Sequence, residues 1–318
     1  MITRLERVHY SVRSSLGWIG VGAQIVEVDC VNYRYDLNSL RSTLRRCGDR
    51  VMAVVAYAGD SRTQTIDQLR AVNDIVRAQD SKIWLHADAC WGFLCAFSEN
   101  LRGRIDGIEL YDSITVDAHK IMDVPYSLSA LLVREPRMLR MISSYSDLIM
   151  QEEFAFGQVT PFVGSRGWLS LKLWMMMQAR GISGLSQMAE DRVAKAEWFA
   201  QIVDEHPRFV LVNQPDLLAV AFMYVPGSIN FQTGGLTPAD LDRLNSLNVS
   251  IHARLLDEGV WHLHQFSVLD GRGVLRPGFV LHPLRLMANN DRTTRSHMIQ
   301  VLEYVERLGR TMERASDG

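Results

Sequence analysis

The first half of the chain alternates short apolar runs with segments of helical periodicity, and this alternation limits the possible folds. Apolar runs predict strands at residues 24–29, 51–58, 82–88, 113–117 and 129–134. Between them, two segments carry apolar side chains three and four positions apart, which indicates amphipathic helices at 38–47 and 66–79. Such alternation is typical of a mostly parallel sheet flanked by helices. We therefore expect an α/β fold that binds ligands beyond the carboxyl ends of its strands.

The second half of the chain has a different character. A helical stretch runs from about Trp168 to His206 and is broken near residues 179–184, after which strands and two further helices follow. This order suits a smaller α+β unit attached to the α/β part. The prediction is a large domain over residues 1–180 and a C-terminal domain over residues 181–318.

Composition excludes several classes of function. The 318 residues are 47% hydrophobic and 22% charged, with a net charge of −2, which suits a globular protein but not binding to nucleic acid or an anionic membrane. The N-terminus lacks an apolar leader, and no run approaches about 18 apolar residues, so we expect neither secretion nor membrane insertion. The four cysteines show no CxxC spacing, which indicates reduced thiols and a cytoplasmic location.

Lysine is rare in this chain, with four lysines against 30 arginines. Lys120 nevertheless comes directly after the predicted strand at 113–117, beside His119 in the stretch DAHK. Lysine can lose its proton and form a Schiff base, which arginine cannot do. A buried lysine needs a partner, so an ion pair is the simpler alternative for Lys120.

The stretch WLHADACW carries a second candidate group. His86, Asp88 and Cys90 alternate along a predicted strand, so their side chains share one face. They could bind a metal ion, or the strand could present Asp88 alone to a ligand. An acid ending one strand, a lysine ending a later strand and the ring of His9 upstream suit pyridoxal phosphate. The acid would keep the pyridine nitrogen protonated, the lysine would bind the aldehyde and the flat ring would stack on the cofactor.

Five stretches resemble the group II pyridoxal-phosphate-dependent amino-acid decarboxylases of the glutamate and aromatic-L-amino-acid type. They are VHYSV, AYAGDS, WLHADACWG, DSITVDAHKIMDVPYS and LKLW, and they follow the family order over about residues 8–180. The resemblance implies a fold-type I transferase-like architecture, with a mostly parallel sheet flanked by helices. It also implies decarboxylation of an L-amino acid to an amine and CO₂.

The resemblance implies roles for individual residues around the cofactor ring. Lys120 would carry the aldimine, and Asp88 would pair with the pyridinium nitrogen. His9 would stack on one face of the ring. Cys90 stands at the alanine position of the family pattern, against the other face.

Three further residues are implied for the phosphate side of the cofactor. His119 would lie near the phosphate or the substrate carboxylate, and Ser61 stands at the second threonine of the family pattern AGTT. Asp60 stands at the first threonine, where a carboxylate would repel the phosphate.

Besides Asp60 and Cys90, the chain departs from the family pattern in two larger ways. The family carries more than a hundred residues before the stacking histidine, whereas His9 is the ninth residue here. We therefore expect that a separate N-terminal-half polypeptide completes the site, that the protein is degenerate, or that the chain is incomplete. The loop at 143–158 places Phe154 and Phe156 where the family offers a tyrosine, with Tyr145 earlier, and phenylalanine has no proton to give.

Several functions stay open on these residues. The first is decarboxylation, by a homodimer or by a hetero-oligomer with the N-terminal half. A non-catalytic or degenerate homologue that acts through protein contacts is the main alternative. An aldehyde synthase or a carbon–carbon lyase is a further alternative that uses the same cofactor.

Overall fold

The computed structural model describes residues 1–4, 9–22, 24–142, 167–229 and 236–316. The helices are α1 (Tyr10–Trp18), α2 (Leu37–Cys47), α3 (Leu69–Gln79), α4 (Ala118–Ile121), α5 (Leu169–Glu205), α6 (Pro238–Glu258) and α7 (Arg295–Ser316). Short 3-10 helices lie at Gly48–Arg50, Gly92–Phe97, Arg102–Ile105, Ile108–Leu110 and Pro136–Ile142. The strands are β1 (Ile2–Arg4), β2 (Val26–Val28), β3 (Cys30–Val31), β4 (Arg34–Tyr35), β5 (Ala53–Tyr57), β6 (Trp84–Asp88), β7 (Ser113–Val116), β8 (Ala130–Val133), β9 (Phe209–Leu211), β10 (Ala219–Tyr224), β11 (His264–Gln265), β12 (Val268–Leu269), β13 (Val280–Leu281) and β14 (Leu284–Met287).

The large sheet has six strands in the order β2-β1-β5-β6-β7-β8. All neighbouring pairs are parallel except β7 and β8, which are antiparallel. The predicted mostly parallel α/β sheet is therefore confirmed. Because the strands β1, β5, β6 and β7 are parallel, the residues that follow them lie at one edge of the sheet.

Helices α2 and α3 supply apolar stripes to the core of this sheet. Leu40 and Leu44 of α2 and Val72 and Val76 of α3 are buried in one cluster with strands β5 and β6. Helix α2 begins at the Asp36 cap, whose carboxylate accepts hydrogen bonds from two backbone N–H groups of the first turn. The i, i+4 spacing read from the sequence thus corresponds to real buried helix faces.

The second sheet is antiparallel, with the order β11-β14-β10-β9. Helix α5 packs on both cores, since Leu185 and Val193 belong to the first cluster and Ala196 and Phe199 to the second. The predicted break in this helix is confirmed at Gly181, whose φ of 63° and ψ of 175° are not helical. Within the described ranges, no helix is both long enough and apolar enough to cross a membrane.

Candidate active site

A cavity of about 720 Å³ opens where the strands of the large sheet end. His9 follows β1, Ser61 follows β5, Asp88 ends β6, Cys90 comes two residues later, and Lys120 follows β7. All five side chains line this cavity. The topology thus brings together five of the six predicted site residues, although more than 100 positions separate the first from the last.

Lys120 lies in the one-turn helix α4, not at the end of the strand as the sequence suggested. Strand β7 ends at Val116, and the Lys120 N–H donates to the carbonyl of Asp117 at 2.8 Å, which closes the turn. The Lys120 Nζ forms an ion pair with Asp117 Oδ2 at 2.5 Å. It also lies 5.6 Å from the ring centroid of Trp91. The simple ion pair is therefore present, and the paired amine faces the cavity.

The charges around Lys120 hold its amine protonated. Burial alone lowers the pKa of Lys120, but the hydrogen bond to Asp117 and the nearby Cys90 and Asp88 raise it above the usual value. The other Asp117 oxygen accepts a hydrogen bond from the Ser129 hydroxyl. Burial alone raises the pKa of Asp117, but its bonds to Lys120 and Ser129 lower it overall. Asp117 is thus a fixed anion beside the amine.

The cavity-facing side of β6 carries a half-buried histidine before the acid. The two ring nitrogens of His86 form hydrogen bonds with the hydroxyls of Ser113 and Thr115, at 2.8 and 3.1 Å. Burial lowers the pKa of His86, which keeps the ring neutral. Asp88 Oδ1 accepts a long hydrogen bond from the Cys90 N–H at 3.3 Å. No set of three potential ligands in the described part of the chain could hold a metal ion.

His9 caps the first helix at the mouth of the cavity. Its Nδ1 accepts a hydrogen bond from the Ser11 N–H at 3.3 Å and lies 2.7 Å from the Ser11 hydroxyl. The His9 N–H donates to the Tyr57 hydroxyl at 3.3 Å. Burial lowers the pKa of His9, so the ring is held as a neutral, flat surface.

Asp60 does not face the cavity, which corrects the expected repulsion of a phosphate. Asp60 is 1% exposed. Its carboxylate accepts hydrogen bonds from the backbone N–H groups of Arg62, Thr63 and Thr65 at 2.8, 2.9 and 3.1 Å. The carboxylate therefore caps its own turn and leaves Ser61 at the cavity wall.

His119 is the one predicted site residue that does not line the cavity. Its Nδ1 is 2.7 Å from the carbonyl oxygen of Leu128. Its ring packs at a tilt against Tyr126, with 4.9 Å between the centroids. The loop at 143–158, with Tyr145, lies outside the described residues.

Two residues of the site were not among the predicted ones. Asp117 and Trp91 line the cavity, and both contact the Lys120 amine. The sequence did carry a signal for Asp117, because an acid three positions before a lysine pairs with it across one helical turn. That signal depends on a helix at DAHK, whereas the sequence pattern predicted only a strand that ends at residue 117.

Comparison with protein families and with known proteins finds several similar chains. Residues 4–225 match the family model of the pyridoxal-dependent decarboxylase conserved domain. An aspartate 1-decarboxylase from Aliivibrio fischeri is 28% identical over 231 residues, which are 70% of this chain and 42% of that protein. An aromatic-L-amino-acid decarboxylase from Bacillus atrophaeus is 25% identical over 315 residues, which are 95% and 61%. The chain therefore spans less than two thirds of these relatives.

Solved structures show the same fold. A crystal structure of mouse CSAD superposes with a TM-score of 0.83 at 23% identity. The match covers 97% of this chain and 63% of the mouse protein. The α/β architecture inferred from the sequence is thereby confirmed.

Proposed function

Because the chain belongs to the pyridoxal-dependent decarboxylase family, we propose that it decarboxylates an L-amino acid to an amine and CO₂ with pyridoxal phosphate as cofactor. The observation that carries this proposal is the convergence of Lys120, Asp88 and His9 on one cavity. Bound pyridoxal phosphate supplies the electron sink for the carbanion that is left when CO₂ departs. The protein supplies orientation and charge.

The residues present fit the ring of this cofactor. Lys120 would hold the cofactor aldehyde through its amine once the ammonium has lost a proton, and the Asp117 carboxylate is the base within reach of that proton. Asp88 has no cationic partner among its described hydrogen bonds, so its carboxylate is suited to a protonated pyridine nitrogen. The neutral ring of His9 offers a flat surface for stacking, and Cys90 packs beside Asp88.

The phosphate end of the site involves Ser61 and His119 in this proposal. Ser61 lines the cavity, where its hydroxyl could donate to a phosphate oxygen. The Ser61 carbonyl accepts a hydrogen bond from the Arg285 guanidinium at 2.5 Å, which ties its backbone to the second sheet. His119 does not line the cavity, so in this proposal it supports the phosphate end indirectly. Its ring forms a hydrogen bond with the Leu128 carbonyl and so holds the backbone there.

We also propose that the active form is an assembly, either a homodimer or a complex with a polypeptide that resembles the N-terminal half of the family. Large apolar side chains stand exposed on α1 and α5, among them Trp18, Trp174 and Met175. Association with another chain would bury such side chains. Sedimentation of the purified chain, alone and with cofactor, distinguishes an assembly from a monomer.

Release of CO₂ from amino acids tests the proposed function. The purified chain, in its native assembly and with pyridoxal phosphate, is offered aspartate, aromatic amino acids, cysteine sulfinate and 2,4-diaminobutyrate. We expect CO₂ and the matching amine from at least one of them, and none from Lys120→Ala. Aldehyde and ammonia in place of the amine would identify the protein as an aldehyde synthase. No CO₂ from any substrate, despite bound cofactor, would leave a non-catalytic homologue.

A further inference from the structure

The largest fully buried side chain in the described ranges is charged. Arg192 of α5 is 1% exposed. Its Nη2 donates to both carboxylate oxygens of Asp123 at 2.7 Å, and its Nε donates to Asp291 at 2.8 Å. Burying a guanidinium is costly unless it is fully paired, and here two carboxylates pair with it.

The two N–H groups of Arg192 Nη1 lead towards helix α4, and one of them donates to the Ile121 carbonyl at 3.5 Å. Arg192 Nη1 donates to Asn289 Oδ1 at 3.0 Å. The Asn289 side chain then presents its Nδ2, which donates to the carbonyl oxygen of Lys120 at 2.7 Å. Because the arginine can only donate and the carbonyl can only accept, the orientation of the amide is fixed from both sides.

Helix α4 needs such a partner. It has only four residues, so the carbonyl of Lys120 lacks an intrahelical hydrogen bond of its own. The bond from Asn289 satisfies this carbonyl from outside the large sheet, since Asn289 follows strand β14 of the second sheet. The Lys120 amine is held by Asp117, and the Lys120 backbone is held by Asn289.

We propose that Arg192 and Asn289 are positioning residues, which fix the backbone of Lys120 and so set where its amine meets the cofactor aldehyde. This inference rests on the proposed function for its use in catalysis. It links the second sheet to the reactive lysine through two side chains. A displacement of about 1 Å at a reacting group can cost on the order of 100-fold in rate, so the backbone anchor matters even though neither side chain touches the cavity.

Two variants of Asn289 separate the anchor from the ionic cluster. Asn289→Ala removes the contact with Arg192 and the bond to Lys120, while Asp123 and Asp291 still pair with the arginine. Asn289→Asp still accepts from Arg192 but has no N–H to give to the Lys120 carbonyl. If the anchor matters, both variants alter Lys120, although only the alanine variant loses the arginine contact.

The first readout is the reactivity of the Lys120 amine without cofactor. The chain has four lysines, so trace acylation followed by peptide mass analysis compares Lys120 with the exposed Lys82 in the same molecule. We expect the labelling ratio of Lys120 to Lys82 to change severalfold in both variants. We also expect covalent capture of pyridoxal phosphate to slow by roughly tenfold or more. Both measurements stay informative if no substrate is ever decarboxylated.

Arg104→Met is the matched control. Arg104 also ties α5 to another segment, through Glu197 at 2.5 Å and the Asp216 carbonyl at 2.6 Å, but it bonds neither α4 nor Asn289. We expect this variant to leave the Lys120 ratio unchanged. An unchanged ratio in folded Asn289→Asp would overturn the proposal. So would an equal change in Arg104→Met, because the effect would then be general loosening of the fold.

Discussion

The two faces of strand β6 differ in role, because one packs in the core and the other lines the cavity. Leu85 and Ala87 are fully buried in the core of the large sheet. Trp84, His86 and Asp88 alternate with them and line the cavity. Because successive side chains of a strand point to opposite faces, one five-residue strand contributes both to stability and to the site. A substitution on the core face should therefore lower stability, whereas a substitution one residue away on the cavity face should lower cofactor binding or activity.

The neighbouring strand β5 sharpens this contrast. All five of its residues are buried, and it offers the cavity only the small apolar side chains of Ala53 and Val55. The ionisable side chains of the cavity thus come from β6 and from the segments that follow β1, β6 and β7. A small apolar floor with polar groups at one end suits a flat aromatic ligand.

The largest expected effect on stability comes from the core face. Leu85→Ala removes a fully buried side chain, which typically lowers the free energy of unfolding by about 2–5 kcal/mol. Urea denaturation of both proteins measures the loss. The folded fraction should still bind pyridoxal phosphate at Lys120. Loss of cofactor capture without loss of stability would contradict the division between the two faces.

The largest expected effect on chemistry comes from the cavity face. Asp88→Asn removes the anion that we propose to pair with the pyridine nitrogen, and loss of one such electrostatic contact typically lowers kcat by about 100- to 1,000-fold. The rate of CO₂ release measures this loss, and the unfolding midpoint should hardly move. Cys90→Ala is the control, because the family pattern has alanine at this position. Equal losses in the two variants would argue against a special role for Asp88.

A smaller, pH-dependent effect is expected from Asp117→Asn. The pKa of Lys120 is raised above its ordinary value of 10.5, so the pair stabilises the fold below that pH and the contribution is lost at higher pH. The pKa of Asp117 is lowered from 3.8, so its contribution is lost as the pH falls below that value. The difference in thermal stability between wild type and variant should therefore be largest near neutral pH and become smaller at acid and at alkaline pH.

The same variant changes the amine itself. Without the Asp117 charge, the pKa of Lys120 falls, so acylation of Lys120 should reach its midpoint at a lower pH than in the wild type. Asp106→Asn breaks an exposed pair with Arg70 and serves as the control, since exposed pairs contribute little. An unchanged midpoint in Asp117→Asn would show that this ion pair does not control the reactivity of Lys120.

Local patterns predicted the parallel sheet and most of the site. Strand periodicity can be read from residues that are close in sequence. In a parallel sheet the segments after successive strands lie at one edge, and this places His9, Asp88 and Lys120 together. The stretch DAHK was too short for its helix to show as periodicity, so α4 was missed. The domain division between residues 180 and 181 stays a prediction, because α5 crosses it.

The anchor of Lys120 could not be predicted because its parts are far apart in sequence. Asn289 and Lys120 are separated by 169 positions. One signal was present: Arg192 occupies a core position in α5, where Leu185, Met188 and Ala189 are buried at helical spacing before it. A charged residue in an apolar stripe indicates a buried partner but does not say which one.

The most direct test of the central claim is the location of the covalent cofactor. The chain is incubated with pyridoxal phosphate, reduced with borohydride and digested, and the modified peptide is identified by mass. We expect one reduced adduct, on Lys120, together with a visible absorbance band that is absent from Lys120→Ala. An adduct spread over Lys82, Lys172 and Lys195, or no adduct at high cofactor concentration, would contradict the assignment of Lys120 as the cofactor lysine.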